Sequence, residues 1–213
     1  MSAPCTEVSI PAAGARLPGT LALPPAARGL VVFAHGSGSS RLSPRNVFVA
    51  EILHGERIAT LLFDLLTPDE DVDYAARFDI ALLTERLLLA SDWLAGRSDT
   101  AGLALGYFGA STGAAAALQA AARRRPPVAA VVSRGGRPDL AGAEALAAVA
   151  SPTLLIVGGD DETVLDLNRQ ALALLACDKR LVVVPGATHL FEEPGTLAAA
   201  ARHAADWFVR CFA

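Results

Sequence analysis

Short, continuous apolar segments alternate along this chain with longer segments whose apolar residues recur at helical spacing. Continuous apolar runs are typical of strands buried on both faces, and the periodic segments are typical of helices. The predicted strands are 29–36, 58–66, 101–109, 127–136, 152–159 and 179–186. The predicted helices are 43–57, 76–96, 112–125, 139–150, 162–176 and 194–212. This alternation predicts an α/β fold with a mostly parallel central sheet and helices on both faces.

Local signals at the ends of segments support the same pattern. Ser43 followed by Pro44 predicts the start of a helix. Two weaker apolar segments, 6–10 and 19–23, predict an antiparallel hairpin at one edge of the sheet. The acidic run 68–74 is similar to the start of a calcium-binding loop, but it lacks the glycine and the glutamate that such a loop requires. We therefore predict a solvated loop there.

Composition and charge narrow the function classes. The chain has 213 residues, of which 53% are hydrophobic, so we expect one domain over 1–213. A net charge of −4 gives no electrostatic reason to expect nucleic acid or an anionic membrane as a partner. No apolar run reaches membrane-spanning length, and no basic start precedes an apolar stretch at the N-terminus. Cys5, Cys177 and Cys211 lie far apart, which predicts free thiols and a cytoplasmic location.

The pentapeptide GASTG (109–113) lies where a predicted strand ends and a predicted helix begins. This G-x-S-x-G pattern is typical of a nucleophile elbow, in which a strained turn raises a serine hydroxyl above the sheet. The glycines leave room where side chains would collide with the neighbouring strand and helix. A tight turn with a serine that takes no part in chemistry is the simpler interpretation. The position between strand and helix favours Ser111 as a nucleophile.

A serine hydroxyl needs a base, and the base needs an acid to orient it. His189 follows the last predicted strand, at the sheet edge where Ser111 is expected, and is the candidate base. The acidic run 160–162 supplies Asp161 as the candidate acid, and its neighbours are interpreted as turn or helix-start residues. The other histidines, less suited by position, are His35, His54 and His203. The chain order serine, aspartate, histidine is that of an α/β-hydrolase.

Acyl transfer creates a negatively charged oxygen, which requires preorganised N–H donors. The backbone N–H of Thr112, directly after the candidate nucleophile, is one predicted donor. The small-residue loop GSGSSR (36–41) lets a second donor approach closely, and we predict the N–H of Ser37. The same loop contains part of a dinucleotide-binding pattern, but Arg41 stands where the third glycine is needed.

Together these motifs resemble the dienelactone-hydrolase-like branch of the α/β-hydrolase superfamily, over nearly the whole chain. The segments that carry the resemblance are FAHGSGSSRLSPRN (33–46), GYFGASTGAAAAL (106–118), VVSRGGRPDL (131–140), PTLLIVGGDD (152–161) and VPGATHLFEEPG (184–195). The resemblance implies a hydrolase without cofactor or metal, with Ser111, Asp161 and His189 as its catalytic triad and Ser37 and Thr112 as its oxyanion hole. Dienelactone hydrolases proper have a cysteine at the elbow, so dienelactone itself is not the expected substrate. Similar domains also occur fused to phosphoribosyltransferases, for which we expect no room in this chain.

We therefore expect a serine hydrolase of the carboxylesterase type that cleaves small, short-chain esters or lactones through an acyl-enzyme. Only about 16 residues (135–150) separate two predicted strands where related folds carry a cap, which predicts an open site without a cap domain. Arg41 and Arg134 lie in or near loops at the predicted site and can bind a substrate carboxylate or phosphate. Salt bridges to nearby acids are an equally good interpretation of both arginines.

Two other function classes remain open at this stage. A non-catalytic module that keeps the fold as a binding surface is one, and an acyltransferase that uses the same triad is the other. The expected partner is a small-molecule ester, with neither nucleic acid nor membrane, and a homodimer is compatible with the sequence.

Overall fold

The computed structural model describes residues 3–12 and 14–213. Its centre is an eight-stranded sheet with the strand order β1-β2-β4-β3-β5-β6-β7-β8. The strands are β1 (Cys5–Ala12), β2 (Ala15–Ala22), β3 (Gly29–Ala34), β4 (Ile58–Phe63), β5 (Leu105–Ala110), β6 (Ala130–Arg134), β7 (Thr153–Gly158) and β8 (Lys179–Val184). β1 pairs antiparallel with β2, and β2 antiparallel with β4, whereas all later neighbours pair in parallel. The predicted mostly parallel sheet and its edge hairpin are therefore confirmed.

Helices connect the strands and cover both faces of the sheet. They are α1 (Pro44–Gly55), α2 (Pro68–Val72), α3 (Ile80–Ala95), α4 (Thr112–Arg123), α5 (Ala143–Ala148), α6 (Glu162–Leu174) and α7 (Thr196–Cys211). Ser43 caps α1, accepting a hydrogen bond from the N–H of Asn46, and Pro44 occupies the first helical position as predicted. The predicted helix 139–150 is interrupted, because a 3-10 turn over Pro138–Ala141 precedes the short helix α5.

The continuous apolar strands are explained by burial on both faces of the sheet. Along β3, Leu30 and Val32 pack into one core cluster, whereas Val31 and Phe33 pack into another. The first cluster includes Leu118 of α4, and the second includes side chains of α1 and α7. Because successive side chains of a strand point to opposite faces, both sets of positions must be apolar.

The acidic segment 68–74 is the clearest error in the prediction from sequence. We expected a solvated loop, but residues 68–72 form α2. The Thr67 hydroxyl accepts the N–H of Glu70, and the Glu70 carboxylate accepts the N–H of Thr67 in return, which is a capping box. Glu70 also forms an ion pair with the buried Arg86 at 2.6 Å. The T-x-x-E spacing was a readable signal for this helix.

The connection between β6 and β7 contains only the 3-10 turn and α5, so within residues 135–152 there is no cap domain. Among the described residues, no helix is both long enough and apolar enough to cross a membrane. Since six strands of the sheet run in parallel, the loops that follow their carboxyl ends meet at one edge of the sheet.

Candidate active site

Ser111 occupies a strained turn between β5 and α4. Its φ of 51° and ψ of −121° place a non-glycine residue in a region that glycine normally occupies. A Cβ at Gly113 would collide with the backbone at the end of β3, and a Cβ at Gly109 would collide with the backbone of Ala114. Both glycines are therefore needed for close backbone approach, and they hold the turn that exposes the serine hydroxyl.

The structure brings together three of the predicted site residues, each from the loop after a different strand. The Oγ of Ser111 lies 3.3 Å from Nε2 of His189. The Nδ1 of His189 lies 2.7 Å from Oδ2 of Asp161. When Nδ1 carries the ring proton and donates it to the carboxylate, Nε2 is left as an acceptor for the serine hydroxyl. This geometry lets the imidazole act as a base toward Ser111.

The loop that carries His189 is held by a residue that the sequence reading did not single out. Glu193 accepts the Thr188 hydroxyl at 2.6 Å and the Thr188 N–H at 3.1 Å. The Thr188 side-chain hydrogen bond lowers the pKa of Glu193 below its ordinary value. Phe191, fully buried with a φ of 57°, anchors the same loop. His189 is thus presented by a loop fixed on both sides.

The predicted oxyanion loop lies against the elbow, but one of its donors is already engaged. The N–H of Ser37 donates to the Oγ1 of Thr112 at 2.9 Å. The backbone N–H of Thr112 has no acceptor among the described residues. A Cβ at Gly36 would lie 3.1 Å from the Cβ of Ser111, so the loop is close to the nucleophile. An oxyanion would have to share the Ser37 donor with the threonine hydroxyl.

His35 takes no part in the contact between base and nucleophile, and instead fixes the start of the oxyanion loop. Its Nδ1 donates to the carbonyl of Gly36 at 3.0 Å, and its Nε2 accepts the N–H of Leu65 at 3.0 Å. The side chain is 8% exposed. Burial lowers the pKa of His35, although the hydrogen bond to Gly36 and the charges of Asp64 and Asp71 oppose that shift. The ring therefore links the end of β3 to the end of β4 in its neutral form.

Acidification is expected to destabilise the protein through this histidine. In the unfolded chain His35 takes up a proton near pH ~6.5, whereas the folded state keeps it neutral to lower pH. Its contribution is therefore fully present above that pH and is lost below it, by up to about 1.4 kcal/mol per pH unit. In urea unfolding, the free energy of unfolding should fall more steeply with decreasing pH for the native protein than for a His35→Gln variant. Equal slopes in the two proteins would show that His35 is not the group responsible.

The loop arginines differ sharply in their partners. Arg41 pairs with Asp64 at 3.3 Å and with Glu7 at 3.2 Å. Arg41 also donates its backbone N–H to Asp64, so its side chain and its main chain are both engaged within the protein. Two other arginines near the site are also paired, Arg45 with Glu192 at 3.5 Å and Arg137 with Asp139 at 2.7 Å. For Arg41, an expected substrate ligand, the structure therefore favours the salt-bridge interpretation.

Arg134 is the exception among these arginines. Its side chain is 7% exposed, and no acidic side chain in the described part of the chain forms an ion pair with it. Burial, with a smaller contribution from the charge of Arg45, lowers the pKa of Arg134 to about 10. The guanidinium is nevertheless still protonated at neutral pH.

A small cavity of about 220 Å³ joins these groups. Its lining includes Ser111, His189, Ser37, Arg134 and Arg45. Depressions of about 420 and 460 Å³ lie elsewhere on the surface, and neither contains the serine or the histidine. The smaller cavity is lined by the candidate nucleophile and base, so we take it as the candidate active site.

Comparison with known proteins shows the family to which the chain belongs. No protein-family model matches the chain. A crystal structure of a dienelactone hydrolase from Anabaena variabilis is 54% identical, covers 99% of both chains and superposes with a TM-score of 0.95. An esterase domain from Rhodothermus marinus is 19% identical, covers 97% of this chain and 98% of that one, and superposes with a TM-score of 0.78. The second likeness concerns the fold alone.

The fold is therefore that of an α/β-hydrolase. The chain belongs to the dienelactone-hydrolase-like family within that superfamily.

A curated relative adds a different name. A protein of Mycobacterium tuberculosis, provisionally named a phosphoribosyl transferase, is 60% identical over 203 residues, which are 95% of this chain and 46% of the relative. The chain thus spans about half the length of that relative. A second M. tuberculosis protein, named only as uncharacterized, is 31% identical over 75% of this chain and 62% of its own length.

Proposed function

We propose that this protein is a serine hydrolase of the carboxylesterase type, acting on small, short-chain esters or lactones through Ser111, His189 and Asp161. The single observation that carries the proposal is the chain of contacts from a strained serine to a histidine at 3.3 Å and onward to a carboxylate at 2.7 Å. The family membership supports hydrolysis as the reaction class.

Acylation begins when Nε2 of His189 takes the proton of the Ser111 hydroxyl. The serine oxygen attacks the ester carbonyl, the C–O π bond breaks, and a tetrahedral oxyanion forms. Asp161 keeps the imidazole oriented and stabilises it while it is protonated. The oxyanion then collapses, the bond to the alcohol breaks, and His189 returns its proton to the leaving oxygen. The product of this half-reaction is an acyl-enzyme on Ser111.

Deacylation repeats these steps with water as the nucleophile. His189 removes a proton from water, and the resulting hydroxide attacks the acyl carbon to form a second tetrahedral oxyanion. Its collapse breaks the bond to Ser111, His189 returns the proton to the serine oxygen, and the carboxylic acid is released. An alcohol that accepts the acyl group in place of water would give transesterification. The acyltransferase alternative therefore uses the same acyl-enzyme intermediate. Measuring products with an added alcohol acceptor separates the two reactions.

The size of the site favours small substrates. The cavity has a volume of about 220 Å³, and the 135–152 connection adds no cap above it. A long acyl chain would find no enclosed apolar tunnel there, because the lining is rich in serine, glycine and arginine. Neutral and charged short-chain esters are accordingly the substrates to test first.

We also propose that residues 1–213 form one domain and that the protein works in a reducing compartment, since Cys5, Cys177 and Cys211 are free.

Hydrolysis of p-nitrophenyl acetate by the native protein and by a Ser111→Ala variant tests the proposal. Loss of hydrolysis in the variant supports a serine mechanism. Equal rates in the two proteins would leave the non-catalytic binding module as the better account of the fold.

The Thr112 hydroxyl is expected to orient one oxyanion donor. Thr112→Val keeps the shape of the side chain but removes the acceptor for the Ser37 N–H. Complete loss of one oxyanion donor costs about 100-fold or more in kcat, so misorientation of this donor should cost about tenfold. Thr112→Ser retains the hydroxyl and serves as the control. An unchanged or higher kcat for Thr112→Val would mean that the hydroxyl competes with the oxyanion instead of orienting its donor.

A further inference from the structure

Arg134 ends β6 beside the nucleophile. Its backbone pairs with Ala110 in the sheet, and its carbonyl accepts the N–H of Ser111 at 3.3 Å. Arg134 is also one of the residues that line the 220 Å³ cavity of Ser111 and His189. It therefore belongs to the wall of the candidate active site.

This buried cation has no counter-ion in the described part of the chain. Its Nη1 atom is fully buried and has no hydrogen-bond partner there. The groups that contact its charge are the rings of Phe108 and Phe191, whose centroids lie 5.9 and 5.8 Å from the guanidinium carbon. The charge of the nearby Arg45 is of the same sign and makes the protonated form less favourable.

The energies do not balance without an anion. Burying an unpaired charge costs more free energy than aromatic rings at such distances return. Three other arginines near the site, Arg41, Arg45 and Arg137, lie close to carboxylates, whereas Arg134 has no acidic partner in the described part of the chain. A guanidinium fork presents several N–H donors in one plane, which matches two oxygens of a carboxylate or phosphate.

We propose that Arg134 is the receptor for an anionic oxygen group, a carboxylate or phosphate, carried by the ester substrate. The inference rests on the proposed function, because it assigns the anion to the molecule that Ser111 attacks. The anion would sit in the 220 Å³ cavity between Arg134 and Arg45, and would place the scissile carbonyl over the serine. Arg134 is a specificity-determining residue and takes no part in bond making or breaking.

Kinetics on a matched pair of esters test the assignment. p-Nitrophenyl hemisuccinate carries a carboxylate, and p-nitrophenyl valerate is a neutral ester of similar length. For the native protein, kcat/KM for the hemisuccinate divided by kcat/KM for the valerate should exceed one. In Arg134→Met this ratio should fall by about 10- to 100-fold, because a charged hydrogen-bond pair is lost. Arg134→Lys keeps the charge but loses the guanidinium fork, so its ratio should lie between those of the native protein and Arg134→Met. Arg41→Met, which removes an arginine that is already paired, should leave the ratio within about twofold.

A stability measurement separates substrate binding from a structural role. Removing an unpaired buried charge should leave the melting temperature of Arg134→Met equal to or above that of the native protein. A large fall in melting temperature, together with an unchanged ester ratio, would assign Arg134 to the core and overturn the proposal.

Binding to the Ser111→Ala variant keeps this inference separate from catalysis. Monomethyl succinate should raise the melting temperature of that variant more than neutral dimethyl succinate does, and inorganic phosphate distinguishes phosphate from carboxylate recognition. Anion binding without any ester hydrolysis by the native protein would support the receptor and contradict the proposed function. Serine-dependent hydrolysis with no preference for the charged ester and no anion binding would retain the function and overturn the receptor.

Discussion

Replacing Ser111 with alanine is expected to lower kcat for p-nitrophenyl acetate by about 1,000-fold or more. The hydroxyl lies 3.3 Å from the base, and no other serine hydroxyl among the described residues is hydrogen-bonded to His189. Removing the nucleophile of a serine hydrolase leaves only the contribution of the oxyanion site and of substrate binding. Steady-state release of p-nitrophenol measures the effect directly, and native protein should also become acylated on Ser111.

The matched control is Ser133→Ala. Ser133 lies on the neighbouring strand β6, and its buried hydroxyl has no partner in the described part of the chain. Its loss should therefore change kcat little, while Ser111→Ala removes activity. Similar losses in the two variants would point to a general disturbance of the sheet edge and would contradict a nucleophilic role for Ser111.

A glycine at the same position adds a second readout. Ser111 holds a φ of 51°, which costs about 1–3 kcal/mol for a residue with a Cβ. Ser111→Gly should accordingly be inactive but more stable to urea than Ser111→Ala. A gain in stability together with a loss of activity in Ser111→Gly would show the usual exchange of stability for reactivity at the nucleophile.

Much of this architecture was predictable because the strongest signals in the sequence are local. Continuous apolar strands alternating with periodic helices predict a parallel sheet, and a parallel sheet brings the ends of β5, β7 and β8 to one edge. That single topological rule is what puts Ser111, Asp161 and His189 near one another, although 78 residues separate the first from the last in the hydrogen-bonded chain. Their catalytic roles remain a prediction until the variants are measured.

The features that sequence reasoning missed depend on packing between distant segments. The pairing of Arg41 with both Glu7 and Asp64 requires the edge hairpin and the end of β4 to meet at one arginine. The hydrogen bond from Ser37 to Thr112 joins residues 75 positions apart. Arg134 lacks a counter-ion because the fold brings no acidic side chain of the described residues into an ion pair with it. No local pattern encodes any of these arrangements, whereas the capping box at Thr67 was readable and was overlooked.

The provisional name of the M. tuberculosis relative need not conflict with a hydrolase. This chain matches 46% of that protein, and the rest of the relative lies outside the match. The matched half aligns over 95% of this chain. We therefore expect any hydrolase activity of the longer protein to map to the part equivalent to this fold, which is consistent with function residing in sites and not in whole-chain names.

The second large effect is expected at Asp161. In the native protein, Nδ1 of His189 donates to the Asp161 carboxylate at 2.7 Å, which leaves Nε2 free to accept the serine proton. The amide of Asp161→Asn can instead donate to Nδ1, which favours the tautomer with its proton on Nε2, facing Ser111. That tautomer cannot act as a base toward the hydroxyl, and the equivalent change in a serine protease triad lowers kcat about 10⁴-fold. We expect a loss of about 1,000-fold or more here, with the fold retained.

Asp160→Asn is the matched control for this variant, because it removes the charge of the adjacent, exposed aspartate. Only the backbone N–H of Asp160 is bonded near the site, to the carbonyl of Ala187, and that contact survives the substitution. Its kcat should therefore stay within about threefold of the native value, in the range of surface substitutions. Equal losses in the two variants would indicate that the acidic loop acts through its overall charge, whereas a loss confined to Asp161→Asn would assign to that one carboxylate the task of setting the histidine tautomer.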